Sequence, residues 1–127
     1  MTIRVEHVAG VMVADDVERQ RTWKEFSAAV NMTASELNEW LDGDESKSVG
    51  QTSDGATEST GHASGRHVVT ILETKKADLS LGDYDHMRKV VGYVKRHLAQ
   101  RPSGEVDDSA WRFSLMNWGH DPVRKNS

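Results

Sequence analysis

Apolar side chains recur along much of this chain at helical rather than strand spacing. Trp23, Phe26 and Val30 fall at i, i+3 and i+7, which places them on one face of a helix running to about Asn31. Asp15 or Asp16 is placed to cap its start. Thr33-Ala34-Ser35-Glu36 has the form of a capping box and opens a short helix through Leu37, Trp40 and Leu41. The second half is more regular. Ser64 is placed to cap a helix from Gly65 to about Lys76, with Val68, Ile71 and Leu72 as its apolar stripe. Ser80-Leu81-Gly82-Asp83 forms another box, with Asp in place of Glu, ahead of a long helix 83–100. Tyr84, Met87, Val90, Val91, Val94 and Leu98 collect on one side of it. Pro102 ends it. Asp107 or Asp108 then caps a last helix through Trp111, Leu115 and Trp118, with Gly119 at its C-terminus and Pro122 just beyond.

These elements predict an all-α protein, a compact bundle of about five helices in one domain over 15–125. Residues 1–14 carry valines without a sustained period and read as a poorly ordered N-terminal extension. Residues 43–61, GDESKSVGQTSDGATESTG, contain a single bulky aliphatic residue, Val49. Such a segment buries too little surface to offset its ordering entropy, so it is expected to be a mobile acidic and polar loop between the second and third helices.

The 127 residues suffice for one hydrophobic core. There is no cysteine, which excludes disulfides and thiolate metal sites. No apolar run approaches the roughly 20 residues of a membrane-spanning helix. These features suggest a cytoplasmic protein with no membrane partner. The net charge of -4 conceals an asymmetry. Residues 1–61 hold 5 Lys/Arg against 12 Asp/Glu, whereas residues 62–127 hold 11 against 8 and five of the six histidines. An acidic whole argues against indiscriminate coating of nucleic acid, but the basic half leaves a local phosphate-facing surface open.

The sharpest candidate for such a surface is the helix 83–100. Arg88, Lys89, Lys95 and Arg96 share one quadrant as two basic pairs, with the small residues Gly92 and Ala99 between them. Small side chains flanked by cations would let a polyanion backbone approach closely. With the preceding helix this segment has the outline of a helix-turn-helix, and DNA is the expected partner, with RNA left open. A second candidate is an anion site on Ser64, Gly65 and Arg66 at a helix start. A third reading is a protein-interaction or regulatory scaffold, in which an exposed Trp118 anchors a partner. No catalytic motif is present, so the chain is not expected to be an enzyme, and no cofactor is implied. No metal site is expected either, since His62 and His67 are mis-spaced and His86 and His97 lie about 16 Å apart along their helix.

Several longer stretches are similar to the domain of unknown function 3140 family. They are Val30-Asn31-Met32-Thr33, Glu39-Trp40-Leu41, Gly61-His62-Ala63-Ser64-Gly65-Arg66, His86-Met87-Arg88-Lys89-Val90-Val91, Lys95-Arg96-His97-Leu98-Ala99-Gln100 and Asn117-Trp118-Gly119-His120-Asp121-Pro122. The resemblance spans about Asp16 to Lys125, which makes Met12 a candidate natural start. It implies no activity, although some members carry the label DNA-binding protein.

Overall fold

The computed structural model describes residues 2–49 and 59–123, with side chains described from Asp16 onward. The described chain is a compact all-helical fold with no strand among the described residues. Its elements in order are α1 (Thr2–Ala29), α2 (Ala34–Leu41), the single-turn α3 (Asp44–Lys47), α4 (Thr60–Leu72), a 3-10 turn (Lys76–Asp78), α5 (Leu81–Leu98) and α6 (Ala110–Asn117). Two helix pairs form the frame, with α1 against α5 and α2 against α4, and α6 touches α2, α3, α4 and α5. The core runs between the pairs through Phe26, Leu37, Val68, Ile71, Met87, Val90 and Leu115, all fully buried. These are the stripe residues of the apolar pattern; Leu98, at the end of its stripe, is exposed.

The helix boundaries follow from local hydrogen bonding. The Thr33 hydroxyl accepts from the Glu36 amide and the Glu36 carboxylate accepts from the Thr33 amide. Ser80 and Asp83 make the same reciprocal pair at the start of α5. Each box satisfies two amides that a helix start leaves without partners. At the end of α6, Gly119 adopts φ +91°. Its amide reaches Met116 O, while the His120 amide reaches Leu115 O. This is the Schellman arrangement, and it needs a residue that enters the left-handed region without strain.

Four boundaries depart from the sequence pattern. Asp15 and Asp16 lie inside α1, which begins at Thr2. Ser109, rather than Asp107 or Asp108, caps α6 by accepting from the Arg112 amide. Part of the segment expected to be a mobile loop is helical: α3 occupies Asp44–Lys47, and Ser46 is fully buried. Thr60 and Gly61, at the other end of that segment, belong to α4, and residues 50–58 lie outside the described residues. Finally, α4 starts at Thr60 and not Gly65, because the Ser59 hydroxyl accepts from the His62 amide and caps the helix more than a turn earlier.

One buried polar hub holds α2, α3 and α6 together. Asn117 is fully buried. Its Oδ1 accepts from Trp40 Nε1 at 2.8 Å and from the Ser46 hydroxyl, and its Nδ2 donates to Ser46 O at 3.0 Å. This explains how a segment with almost no apolar side chains is nevertheless anchored: a satisfied hydrogen-bond network does what hydrophobic burial does elsewhere.

Candidate functional site

The outer face of α5 presents the cations that the sequence pattern singled out. Arg88, Lys89, Lys95 and Arg96 are all exposed. They are not, however, an uncompensated strip. Arg88 Nη1 lies 2.8 Å from Asp85 Oδ1, one turn earlier on the same helix. At 100° per residue, Asp85 falls between Arg88 and Lys89 around the helix. Lys95 Nζ lies 3.4 Å from Glu25 Oε2, which α1 brings alongside. Lys89 and Arg96 have no carboxylate partner among the described residues. The expected gap of small residues is also filled. The Arg96 guanidinium lies over Gly92, where an added Cβ would stand 3.1 Å from Arg96 Nη1.

The predicted helix-turn-helix has a different outline from the motif. The connection between α4 and α5 is the whole stretch 73–80, including the 3-10 turn, longer than the usual three or four residues. The two helices pack mainly on other partners, α4 on α2 and α5 on α1.

The residues expected to form an anion site at a helix start, Ser64, Gly65 and Arg66, lie inside α4, which begins at Thr60. These residues sit in the second turn of the helix or deeper, so their amides are committed to the helix ladder. Ser64 is buried and its hydroxyl lies 2.8 Å from His86 Nε2. Gly65 is buried where a Cβ would run into Asn117 O and the Leu41 methyls, so glycine is needed there for close helix packing. Arg66 is exposed. Gly61 and Gly65 disguised this helix in the sequence, because glycine weakens helix propensity.

Trp118 is not the exposed anchor of the interaction reading. It is half-buried and stacked on Tyr93, with ring centroids 4.2 Å apart. It belongs to a column of rings that sequence reasoning did not assemble. His67 of α4 stacks on His86 at 4.2 Å, His86 runs parallel to Trp118 at 6.2 Å, and Tyr93 stacks on His97 at 5.0 Å. His97 and Trp111 are parallel at 6.1 Å, and the Arg101 guanidinium covers Trp111 at 5.4 Å. The signal was present: positions 86, 93 and 97 share one face of α5. Besides one another, they stack on His67 of α4, Trp111 of α6 and Trp118 just beyond it.

Burial favours the neutral forms of His86, His97 and Tyr93. Burial, with the neighbouring His67 and Lys89, pushes the His86 imidazole down to about 4, against the opposing Ser64 and Asp83. Burial also lowers His97 and raises Tyr93. At the outer end, Asp83 Oδ1 bonds His67 Nε2 at 2.8 Å. That bond, with the Ser80 backbone, holds the Asp83 carboxyl below its ordinary value. Ser64, His86, His67 and Asp83 do not form a proton relay. The two histidines meet face to face rather than through a hydrogen bond, and Ser64 is buried mid-helix. Among the described residues, no group of three or more His, Cys, Asp or Glu side chains is arranged to hold a metal ion.

Beside the column lies a cavity of about 490 Å³, lined by Thr60, Gly61, Tyr93, His97, Ser114, Asn117 and Trp118. His97 Nε2 is buried and has no hydrogen-bond partner among the described residues.

Most of the remaining conspicuous residues fasten the C-terminal segment to the bundle. Asn31 Nδ2 donates to Asp121 O, and the Asp121 amide returns a bond to Asn31 Oδ1. Arg112 grips Asp121 through Nε and Nη2, both at 3.0 Å. His120 Nδ1 lies 2.6 Å from Ala29 O, and His62 Nε2 lies 2.7 Å from Leu41 O. These contacts tie the stretches around Asn31, Gly61 and Asn117 into the bundle.

No helix among the described residues is long and apolar enough to cross a membrane. No curated protein and no solved structure matches the chain. A family model does, over residues 25–116, which takes in every helix from the end of α1 to most of α6. The chain therefore belongs to the family described as protein of unknown function (DUF3140).

Proposed function

We propose that this domain binds nucleic-acid phosphates, DNA in the first instance, through the outer face of α5. The observation that carries the reading is the exposure of Arg88, Lys89, Lys95 and Arg96 along one side of a single 18-residue helix. The two ion pairs on this face do not bar it. Both are exposed, with Arg88 and Asp85 at 47% and 73% and Lys95 and Glu25 at 69% and 46% side-chain exposure. Pairs of this kind contribute about 0–1 kcal/mol and are readily exchanged for phosphate. Arg96 folds over Gly92 only as the end of a flexible side chain, so it too is free to swing outward.

Asp85 and Glu25 limit what this face does. Four cations beside two carboxylates give a modest positive field, suited to backbone contacts rather than to reading bases. Binding to two to four phosphates gives a slope of log K against log salt of about −2 to −3.5. Raising salt from about 50 to 200 mM should then weaken binding by about ten- to 150-fold. Fluorescence anisotropy with a labelled duplex, in parallel for wild type and a Lys89→Ala/Arg96→Ala variant, tests the reading. Loss of binding in a folded variant is the expected outcome. Absence of wild-type binding at low salt, or affinity indifferent to the double change, would overturn it.

A further inference from the structure

The cavity beside the ring column has the properties of a small-molecule site of a defined kind. Its volume of about 490 Å³ lies in the range of ligand pockets, roughly 300–1,000 Å³. Among the described residues no charged side chain lines it; its lining is Thr60, Gly61, Ser114, Asn117 and the rings of Tyr93, His97 and Trp118. The histidine is held toward its neutral form by burial. A charged ligand entering there would lose its hydration without meeting a counter-charge. An uncharged one would not.

Two polar groups of the lining residues have no partner among the described residues. The Trp118 indole N–H has no acceptor among the described residues. The absence of a side chain at Gly61 leaves it room, since a Cβ there would stand 3.1 Å from Nε1. His97 Nε2 is the only buried side-chain polar atom without a partner among the described residues. A buried polar group left unpaired costs about 1–3 kcal/mol, so His97 Nε2 calls for a ligand or a water. The walls are aromatic, and Tyr93 and Trp118 are held rigid by mutual stacking, so little ordering is required when a flat molecule slides against them.

We propose that the cavity between the start of α4, the C-terminal half of α5 and α6 binds a small, neutral, flat heteroaromatic molecule whose ring acceptor takes the Trp118 indole proton. This site is separate from the cationic face and does not depend on nucleic-acid binding.

The test uses the indole N–H resonances of the four tryptophans in nitrogen-15-labelled full-length protein at neutral pH, with Trp118→Phe identifying the relevant peak. Quinoline is the neutral flat probe, benzoate the charged flat probe and cyclohexanol the neutral non-planar one. Quinoline should shift the Trp118 resonance saturably and leave those of Trp23 and Trp40 in place, while benzoate and cyclohexanol should bind at least about tenfold more weakly. Ser114→Phe, which fills the cavity, should weaken quinoline at least about tenfold. If that variant does not fold, Gly61→Ala, which presses on Trp118 Nε1, serves instead. No saturable Trp118 shift with quinoline would overturn the proposal. So would benzoate or cyclohexanol binding as well as quinoline, or quinoline binding undiminished in a folded cavity variant.

Discussion

Asn117 illustrates what a single residue contributes to this fold. Replacing it with Ala removes an acceptor from Trp40 Nε1 and from the Ser46 hydroxyl, and a donor from Ser46 O, in a fully buried setting. Leaving these groups unpaired should cost about 3 kcal/mol, read as a fall in the urea midpoint at unchanged m-value. Gly119→Ala should cost about 2 kcal/mol by a different route. Its φ of +91° is strained for any L side chain, and the new Cβ would stand 3.0 Å from Val30 Cγ1. The same unfolding measurement checks it, and a loss below about 0.5 kcal/mol would mean that the C-cap relaxes freely. The role of Gly119 was legible in the sequence, because a glycine before His-Asp-Pro at a helix end is a local signal. The role of Asn117 was not, because its partners Trp40 and Ser46 lie 77 and 71 residues away along the chain.

At the scale of an element, legibility again tracks sequence distance. The capping boxes at Thr33 and Ser80 are closed within three residues, and both form where the pattern placed them. The apolar side of α5 was equally readable from its period. Its polar side was only half readable. Asp85, an i,i+3 neighbour of Arg88, was visible in the sequence, but Glu25 reaches Lys95 only because α1 packs on α5. This gives a prediction that separates the charge of the face from its shape. Glu25→Gln/Asp85→Asn removes both compensating carboxylates and keeps all four cations. Affinity for duplex DNA at about 50 mM salt should rise about three- to tenfold, with the gain fading as salt is raised. An unchanged anisotropy titration in the folded double variant would mean that phosphates do not approach this face.

The whole molecule sets the protonation of the ring column, because His86 is enclosed by residues from α4, α5 and the end of α6. A folded-state value of about 4, against an ordinary 6.5, means that the unfolded chain binds the extra proton first. The stability that depends on neutral His86 is therefore fully present above about pH 6.5 and is lost as pH falls through 6.5 toward 4. Discounted for the partial exposure of the ring, the loss is roughly 1–2 kcal/mol. Asp83 acts in the same direction at lower pH. His67 and the Ser80 backbone hold its carboxyl below 3.8, so its contribution is present above 3.8 and disappears further into acid. Asp121 follows it, since the Arg112 hydrogen bonds and its other neighbours outweigh the burial that would raise it. Urea midpoints measured from pH 7.5 to 4.5 should thus be flat at first and then decline by about one proton's linkage. His86→Gln retains a hydrogen-bonding group toward Ser64 but cannot titrate, so it should remove most of that decline. A wild-type profile that stays flat down to pH 4.5 would mean that the column opens to admit a charged imidazole. In that case stacking around Trp118 would be too loose to hold the rings, and the cavity beside them would have no fixed wall.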